Sequence, residues 1–124
     1  MSGALDGVRV LDLSTLVQGP QAAAMLHDLG AEVLKIELPE IGDMGRHVGV
    51  IEELGTSVFW EACNRGKRSV TLDLRTDAGR EAFLKLVESS DVVLSNFQPG
   101  TLDGWGLGYD DLAAINPRII WAAG

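Results

Sequence analysis

Short apolar runs alternate with amphipathic stretches along most of this chain. Residues 8–13, "VRVLDL", form a β-branched and leucine-rich run that predicts a buried strand. After the loop "STLVQG", Pro20 suits the first residue of a helix. In that helix Ala22, Met25, Leu26 and Leu29 keep i, i+3, i+4, i+7 spacing, which predicts a buried stripe, and Gly30 suits the position just past its end. "AEVLKIEL" (31–38) predicts a second strand, stopped by Pro39. Strand, helix, strand within forty residues implies a right-handed crossover and a parallel pair.

The pattern then breaks. Residues 39–68 are punctuated by Gly42, Gly45, Gly49, Gly55 and Gly66 and hold no sustained periodicity, so they read as a long loop, functional or facing a partner. "SVTLDL" (69–74) predicts a third strand, and residues 76–90 a helix with Thr76 as N-cap and Ala82, Phe83, Leu86 and Val87 as its buried stripe. "DVVLSNF" (91–97) predicts a fourth strand, 98–108 a turn-rich connection, "YDDLAAINP" a short helix, and "RIIWAAG" (118–124) a fifth strand. This order predicts an α/β fold with a doubly wound, mainly parallel, Rossmann-like sheet and no internal repeat. Ligands of such sheets sit beyond the carboxyl ends of the strands. The sequence stops at Gly124, where the fifth strand should deliver its loop. Residues 1–124 are therefore expected to be the N-terminal portion of a larger domain, or one part of a split protein.

Composition narrows the partners. A formal net charge of -8 over 124 residues argues against non-specific nucleic-acid binding and against an anionic membrane surface. Cys63 is the single cysteine, the start "MSGALDG" lacks the pattern of a secretory signal, and no apolar stretch is long enough to span a bilayer. A cytoplasmic setting is expected. Against this acidic background the cations of "NRGKRSVTLDLR" (64–75) stand out. Arg65, Lys67 and Arg68 precede the third strand, so they belong to its amino edge or to the long loop, where solvation or a salt link across a dimer is the expected role. Arg75 follows the strand, on the ligand side.

No single motif names a chemistry. "STLVQGP" holds one glycine, Gly19, where a dinucleotide site would carry G-x-G-x-x-G. Glu37 resembles a ribose ligand or is simply a charged strand end. Asn96 offers an amide and Phe97 a flat face for a ligand, or the two are a turn-starting residue and a core residue. His27 and His47 lack partners at metal-ligand spacing, His27 is expected to face solvent, and Cys63 has no C-x-x-C companion. None of the scattered carboxylates is singled out as a general base, and no metal site is expected.

Taken together and in order, "DLGAEVLKIE", "GD…R", "KRSVTLDL" and "NFQPG" resemble the N-terminal part of the class III CoA-transferase family, over residues 5–124. That family includes formyl-CoA and carnitine-type transferases, with α-methylacyl-CoA racemases as relatives. The resemblance implies an interlocked homodimer, or a complementary chain if the protein is split, and CoA at the carboxyl edge of the sheet. It implies no permanently bound cofactor; coenzyme A enters as acyl-CoA, the donor to a carboxylic acid acceptor. The acyl group passes to an aspartate, giving a mixed anhydride and then an aspartyl-CoA thioester. That aspartate is expected beyond Gly124, with the small domain, so no catalytic residue is assigned here and the chain alone is expected to be inactive. A racemase-like enzyme, or a non-catalytic fragment that binds a nucleotide or a partner chain, are the alternatives.

By motif, the resemblance implies CoA contacts at Val17 and Gln18 after strand one, Leu38 after strand two, Leu72, Asp73, Leu74 and Arg75 after strand three, and Asn96 and Phe97 after strand four. Leu38 and Gly104 stand where many members place arginines, against adenine and near the phosphates respectively. All nine positions fall at the carboxyl ends of predicted strands.

Overall fold

The computed structural model describes residues 2–124. Its main sheet has five parallel strands: β1 (Arg9–Asp12), β2 (Glu32–Glu37), β5 (Arg68–Thr71), β6 (Val92–Ser95) and β7 (Ile120–Ala123). Their spatial order is β5-β2-β1-β6-β7. The chain builds outward from β1 to one side, then returns to build β6 and β7 on the other. The crevice between β1 and β6 is thus the topological switch point.

Helices cover both faces. Helix α1 (Gln18–Asp28) lies on one, over a small core of Val10, Ala23, Ala31 and Val33. Helices α3 (Asp77–Glu88) and α5 (Tyr109–Ile115) lie on the other, over a larger core. That core includes Leu11, Ile36, Phe83, Val87, Val93 and Leu112. Strand residues alternate between faces, so Val10 and Asp12 face α1 while Leu11 faces α3. The expected α3 stripe is in place, with Phe83 and Val87 fully buried and Thr76 capping the helix through the Gly79 N–H.

Helix α1 departs from expectation. It begins at Gln18, two residues before Pro20, so Val17 is its N-cap and Gln18 its first residue. The spacing of Ala22, Met25 and Leu29 predicts a buried stripe, yet Met25 is 56% and Leu29 51% exposed. The buried residues are Gly19, Pro20, Ala23 and Ala24. Small side chains let the helix lie close to strands that are themselves full of large ones. Met25 and Leu29 leave an apolar stripe on the outer face of the helix.

The third strand is also shorter than its apolar alternation suggests. It ends at Thr71, and Leu72 to Arg75 turn into α3, with the Asp73 carbonyl accepting from the Thr76 N–H. Residues 39–67 are less irregular than their glycines imply. They hold a one-turn 3-10 helix at Met44–Arg46, a two-strand hairpin of β3 (Val50–Ile51) and β4 (Thr56–Ser57), and helix α2 (Val58–Cys63). Ser57 caps α2 by accepting from the Phe59 and Trp60 N–H groups. A final short helix, α4 (Thr101–Gly104), sits in the connection before α5.

Candidate functional site

The loop from β1 to α1 opens the switch-point crevice, and side chains from three other segments hold its backbone. The Thr15 N–H donates to Asn96 Oδ1 at 2.8 Å, and Asn96 Nδ2 donates to the Thr15 carbonyl at 2.9 Å. The Ser14 carbonyl accepts from Lys35 Nζ at 2.5 Å, and the Ser14 N–H donates to Asp12 Oδ1 at 3.0 Å. The Leu16 N–H donates to Asp43 Oδ1 at 2.8 Å. Leu16 has φ 69, the left-handed region, which costs a branched side chain about 1–2 kcal/mol. A Cβ at Gly19 would collide with the Ser14 side chain, so only glycine lets α1 start this close to the loop.

Beneath the loop lie four buried charges. Asp12 and Lys35 are register partners on adjacent strands, and both side chains are essentially inaccessible. Lys35 Nζ faces Asp43 Oδ2 at 2.5 Å and Asp12 Oδ2 at 3.6 Å. Lys67 Nζ donates to Asp12 Oδ2 at 2.7 Å, to the Pro20 carbonyl at 2.8 Å and to Asn64 Oδ1 at 2.9 Å. Burial pushes the Lys67 ammonium below its ordinary range, opposed by the attraction of Asp12. Two carboxylates and two ammonium groups leave the cluster neutral, which permits charges to stay buried here. The cluster joins β1, β2, the 39–67 segment and the first turn of α1.

A second knot adjoins it. Glu37 accepts from Arg46 Nε and Nη2, both at 2.8 Å, from the Asp43 N–H at 2.9 Å and from Ser69 Oγ at 2.6 Å. Burial raises the pKa of its carboxyl, but the hydrogen bonds from Arg46, Ser69 and Asp43 outweigh that and bring it down to about 2. The Arg46 guanidinium lies 3.3 Å over the Trp60 ring, so one side chain links the end of β2 to α2. A ribose-binding role for Glu37 has no acceptor capacity left to use.

These contacts correct two sequence expectations. Lys67 lies in the loop just before β5, as expected, but it is not solvated: its side chain reaches the Pro20 carbonyl and Asp12 at the end of β1, where its ammonium is buried. Arg65 and Arg68 do remain at the surface, paired with Asp28 and Glu32. His27, expected in solvent, is half-buried; its Nδ1 is 3.1 Å from the Ala31 carbonyl, and Gly66, at φ +73, packs on its ring.

Of the nine expected CoA contacts, several converge. Val17 and Gln18 begin α1, whose N-cap has no side-chain hydrogen bond and whose first turn has no acid. Gln18 reaches toward Gly124 at the end of β7. Leu38 and Phe97 line one small crevice with Thr15, Gly42 and Asp43. Phe97 also packs edge-on against Trp105, with ring centroids 5.7 Å apart. Asn96 spends its amide on Thr15, as described. Arg75 lies further out, in a two-bond pair with Asp73 at 2.7 and 2.9 Å that holds both groups toward their charged forms. Leu74 is enclosed in the core at 1% exposure, and Leu72 packs against that core, so both turn their side chains inward. No group of His, Cys, Asp and Glu among the described residues is arranged to hold a metal ion.

Asp12, Lys35, Asp43 and Lys67 went unnoticed as a group in the sequence. A signal was present: "VRVLDL" and "EVLKIE" each carry a charge inside an otherwise apolar strand. In a central strand covered on both faces, such a charge needs a partner.

An open parallel α/β sheet with a clamped loop and an uncapped helix start at its switch point defines the class of doubly wound proteins that bind ligands at the carboxyl edge. The sequence profile of CoA-transferase family III matches residues 5–124, and the chain belongs to that family. It is 46% identical over 116 residues to succinyl-CoA–D-citramalate CoA-transferase of Chloroflexus aurantiacus, covering 94% of this chain and 29% of that protein. It is 45% identical over 125 residues to succinyl-CoA:mesaconate CoA-transferase of Haloarcula hispanica, covering 98% of this chain and 31% of that one. The crystal structure of a CaiB/BaiF family protein from Brucella suis superposes with a TM-score of 0.90 at 44% identity, over 99% of this chain and 33% of that one. The chain thus spans about a third of the length of the relatives it matches.

Proposed function

We propose that this chain is the CoA-holding N-terminal portion of a class III CoA-transferase. In this reading CoA lies along the carboxyl edge of the sheet, with its thioester end by Val17 and Gln18 and its nucleotide end toward Leu38 and the Asp73–Arg75 turn. The β1–α1 loop carries the reading. Its backbone groups at Ser14, Thr15 and Leu16 are bound by side chains from β1, β2, the residue just after β6 and the 39–67 segment, directly below an uncapped helix start. Such rigidity serves a reaction in which an acyl thioester must be held in line with a nucleophile.

The chain's own residues bind and orient; the chemistry is assigned to an aspartate beyond Gly124. Its carboxylate oxygen attacks the thioester carbonyl, and CoA leaves as the thiolate. The thiolate then attacks the mixed anhydride, releasing the first acid and leaving an aspartyl-CoA thioester. The carboxylate of a second acid attacks the aspartyl thioester carbonyl and expels the CoA thiolate, and that thiolate attacks the acceptor's carbonyl in the new anhydride, forming the product thioester and freeing the aspartate. No cofactor is permanently bound, and the setting is cytoplasmic. The exposed apolar residues Val17, Met25 and Leu29 of α1, with Ile51, Leu54 and Val58 beyond them, support a covering partner: a second copy in an interlocked homodimer, or a complementary chain.

Calorimetric titration tests the reading. CoA should bind at least about tenfold more tightly than a neutral pantetheine analogue, since about 1.4 kcal/mol from a charged contact suffices for that ratio. Equal affinities would defeat the assignment of the nucleotide end. Turnover by the 124 residues alone would show that the nucleophile lies within them.

A further inference from the structure

Asp43 does two things at once. Its Oδ1 accepts from the Leu16 N–H at 2.8 Å and from the Gly45 N–H at 2.7 Å, and its Oδ2 faces the Lys35 ammonium at 2.5 Å. Asp43 lies 27 positions from Leu16, in the segment that follows β2, so the contact is tertiary. Leu16 is one of only two non-glycine residues with positive φ among the described residues, and it directly precedes Val17 and Gln18. A leucine leaves the left-handed region unless something holds it there. The bond from Asp43 is the one that fixes its amide. Lys35 in turn aims the carboxylate, being held between Asp43, Asp12 and the Ser14 carbonyl.

We propose that Asp43 is a positioning residue for CoA: by gripping the Leu16 amide it forces the left-handed turn that presents Val17 and Gln18 to the ligand. It touches no ligand itself. The proposal rests on the CoA-binding reading above, and its distinctive consequence is coupling between Asp43 and Leu16. If the grip matters because leucine resists the turn, a residue that enters the turn freely should make the grip less necessary.

The test is a double-mutant cycle in the whole protein, read by CoA affinity from calorimetry and by hydrogen exchange at the Leu16 amide. Asp43→Ala should weaken CoA binding at least about tenfold and speed exchange at Leu16. Leu16→Gly alone should change affinity by less than about threefold. The double variant should bind at least about threefold more tightly than Asp43→Ala. Unchanged affinity in a folded Asp43→Ala, or no recovery in the double variant, overturns the proposal. Should Asp43→Ala fail to fold, Asp43→Asn carries the test: with its carbonyl on Leu16 and Gly45, its amide nitrogen would meet the Lys35 ammonium, so the side chain should lose its aim, exchange at Leu16 should quicken and affinity should fall together with it. Affinity lost at least about tenfold with Leu16 still protected would mean that the charge facing Lys35, and not the grip on Leu16, decides binding, and the proposal would fall. If the wild-type protein itself binds no CoA, the functional reading fails, while exchange at Leu16 still reports whether the grip exists.

Discussion

Two edges of the same sheet carry ion pairs, and they use them differently. At the carboxyl edge Asp12, Lys35, Asp43 and Lys67 are withdrawn from water and share partners across four segments. At the amino edge Arg9 and Arg68 both pair with Glu32, and all three side chains are about half or more exposed. The charges are alike; the solvent is not. Water screens the amino-edge pairs to within about 1 kcal/mol. A buried partner removed at the other edge leaves an uncompensated charge and costs about 3–5 kcal/mol. What such pairs contribute at the carboxyl edge is less net stability than a single shape: each charge accepts one arrangement of loop and strand.

Lys35→Ala should break this contrast most severely. It strands Asp43, leaves Asp12 with Lys67 alone, and should cost about 3–5 kcal/mol in a urea unfolding experiment. A loss below about 1 kcal/mol would place both edges in the same class. Lys67→Ala should cost somewhat less, about 3 kcal/mol, because Asp12 keeps Lys35 nearby. It contrasts with Arg75→Ala, which should leave the melting temperature unchanged while weakening CoA. If instead Lys67→Ala melts like wild type and Arg75→Ala does not, the placement of the two cations is wrong.

Acid provides a graded version. The Glu37 carboxyl titrates near 2 in the folded chain against about 4.5 unfolded, so it stabilises the fold above pH 4.5 and loses that contribution as pH falls toward 2. With Arg46 partly in solvent, the contribution is about 1–2 kcal/mol. Glu37→Gln should remove that part of the acid sensitivity between those pH values; an unaltered pH profile of the melt would sink the assignment. Glu32→Ala at the amino edge should be the smallest effect, under about 1 kcal/mol and absent at high salt. A salt-resistant loss there would erase the distinction between the edges.

Much of this molecule could be read along the chain. The α/β class and the parallel sheet follow from apolar runs spaced by helices, because strand and helix periodicities are local properties. The motifs "EVLKIE", "GD…R" and "KRSVTLDL" were visible too. Their contents were not: in space Lys35, Asp43, Glu37, Arg46 and Lys67 bind one another and the loop. The α1 stripe was misread because spacing identifies an apolar face without saying what lies against it. There the alanines won, since only small side chains fit beside crowded strands.

Local sequence thus determined the five strands of the main sheet, the three longer helices between them and their order along the chain. Tertiary structure alone decided which charges are buried, since burial depends on segments far apart in the chain closing over the same strand ends. It turned Lys67 from a surface cation into part of the site's foundation, and joined Asp43 to Leu16 across 27 positions. No pattern within a short window encodes such a contact, because its free energy exists only once both faces of the sheet are covered.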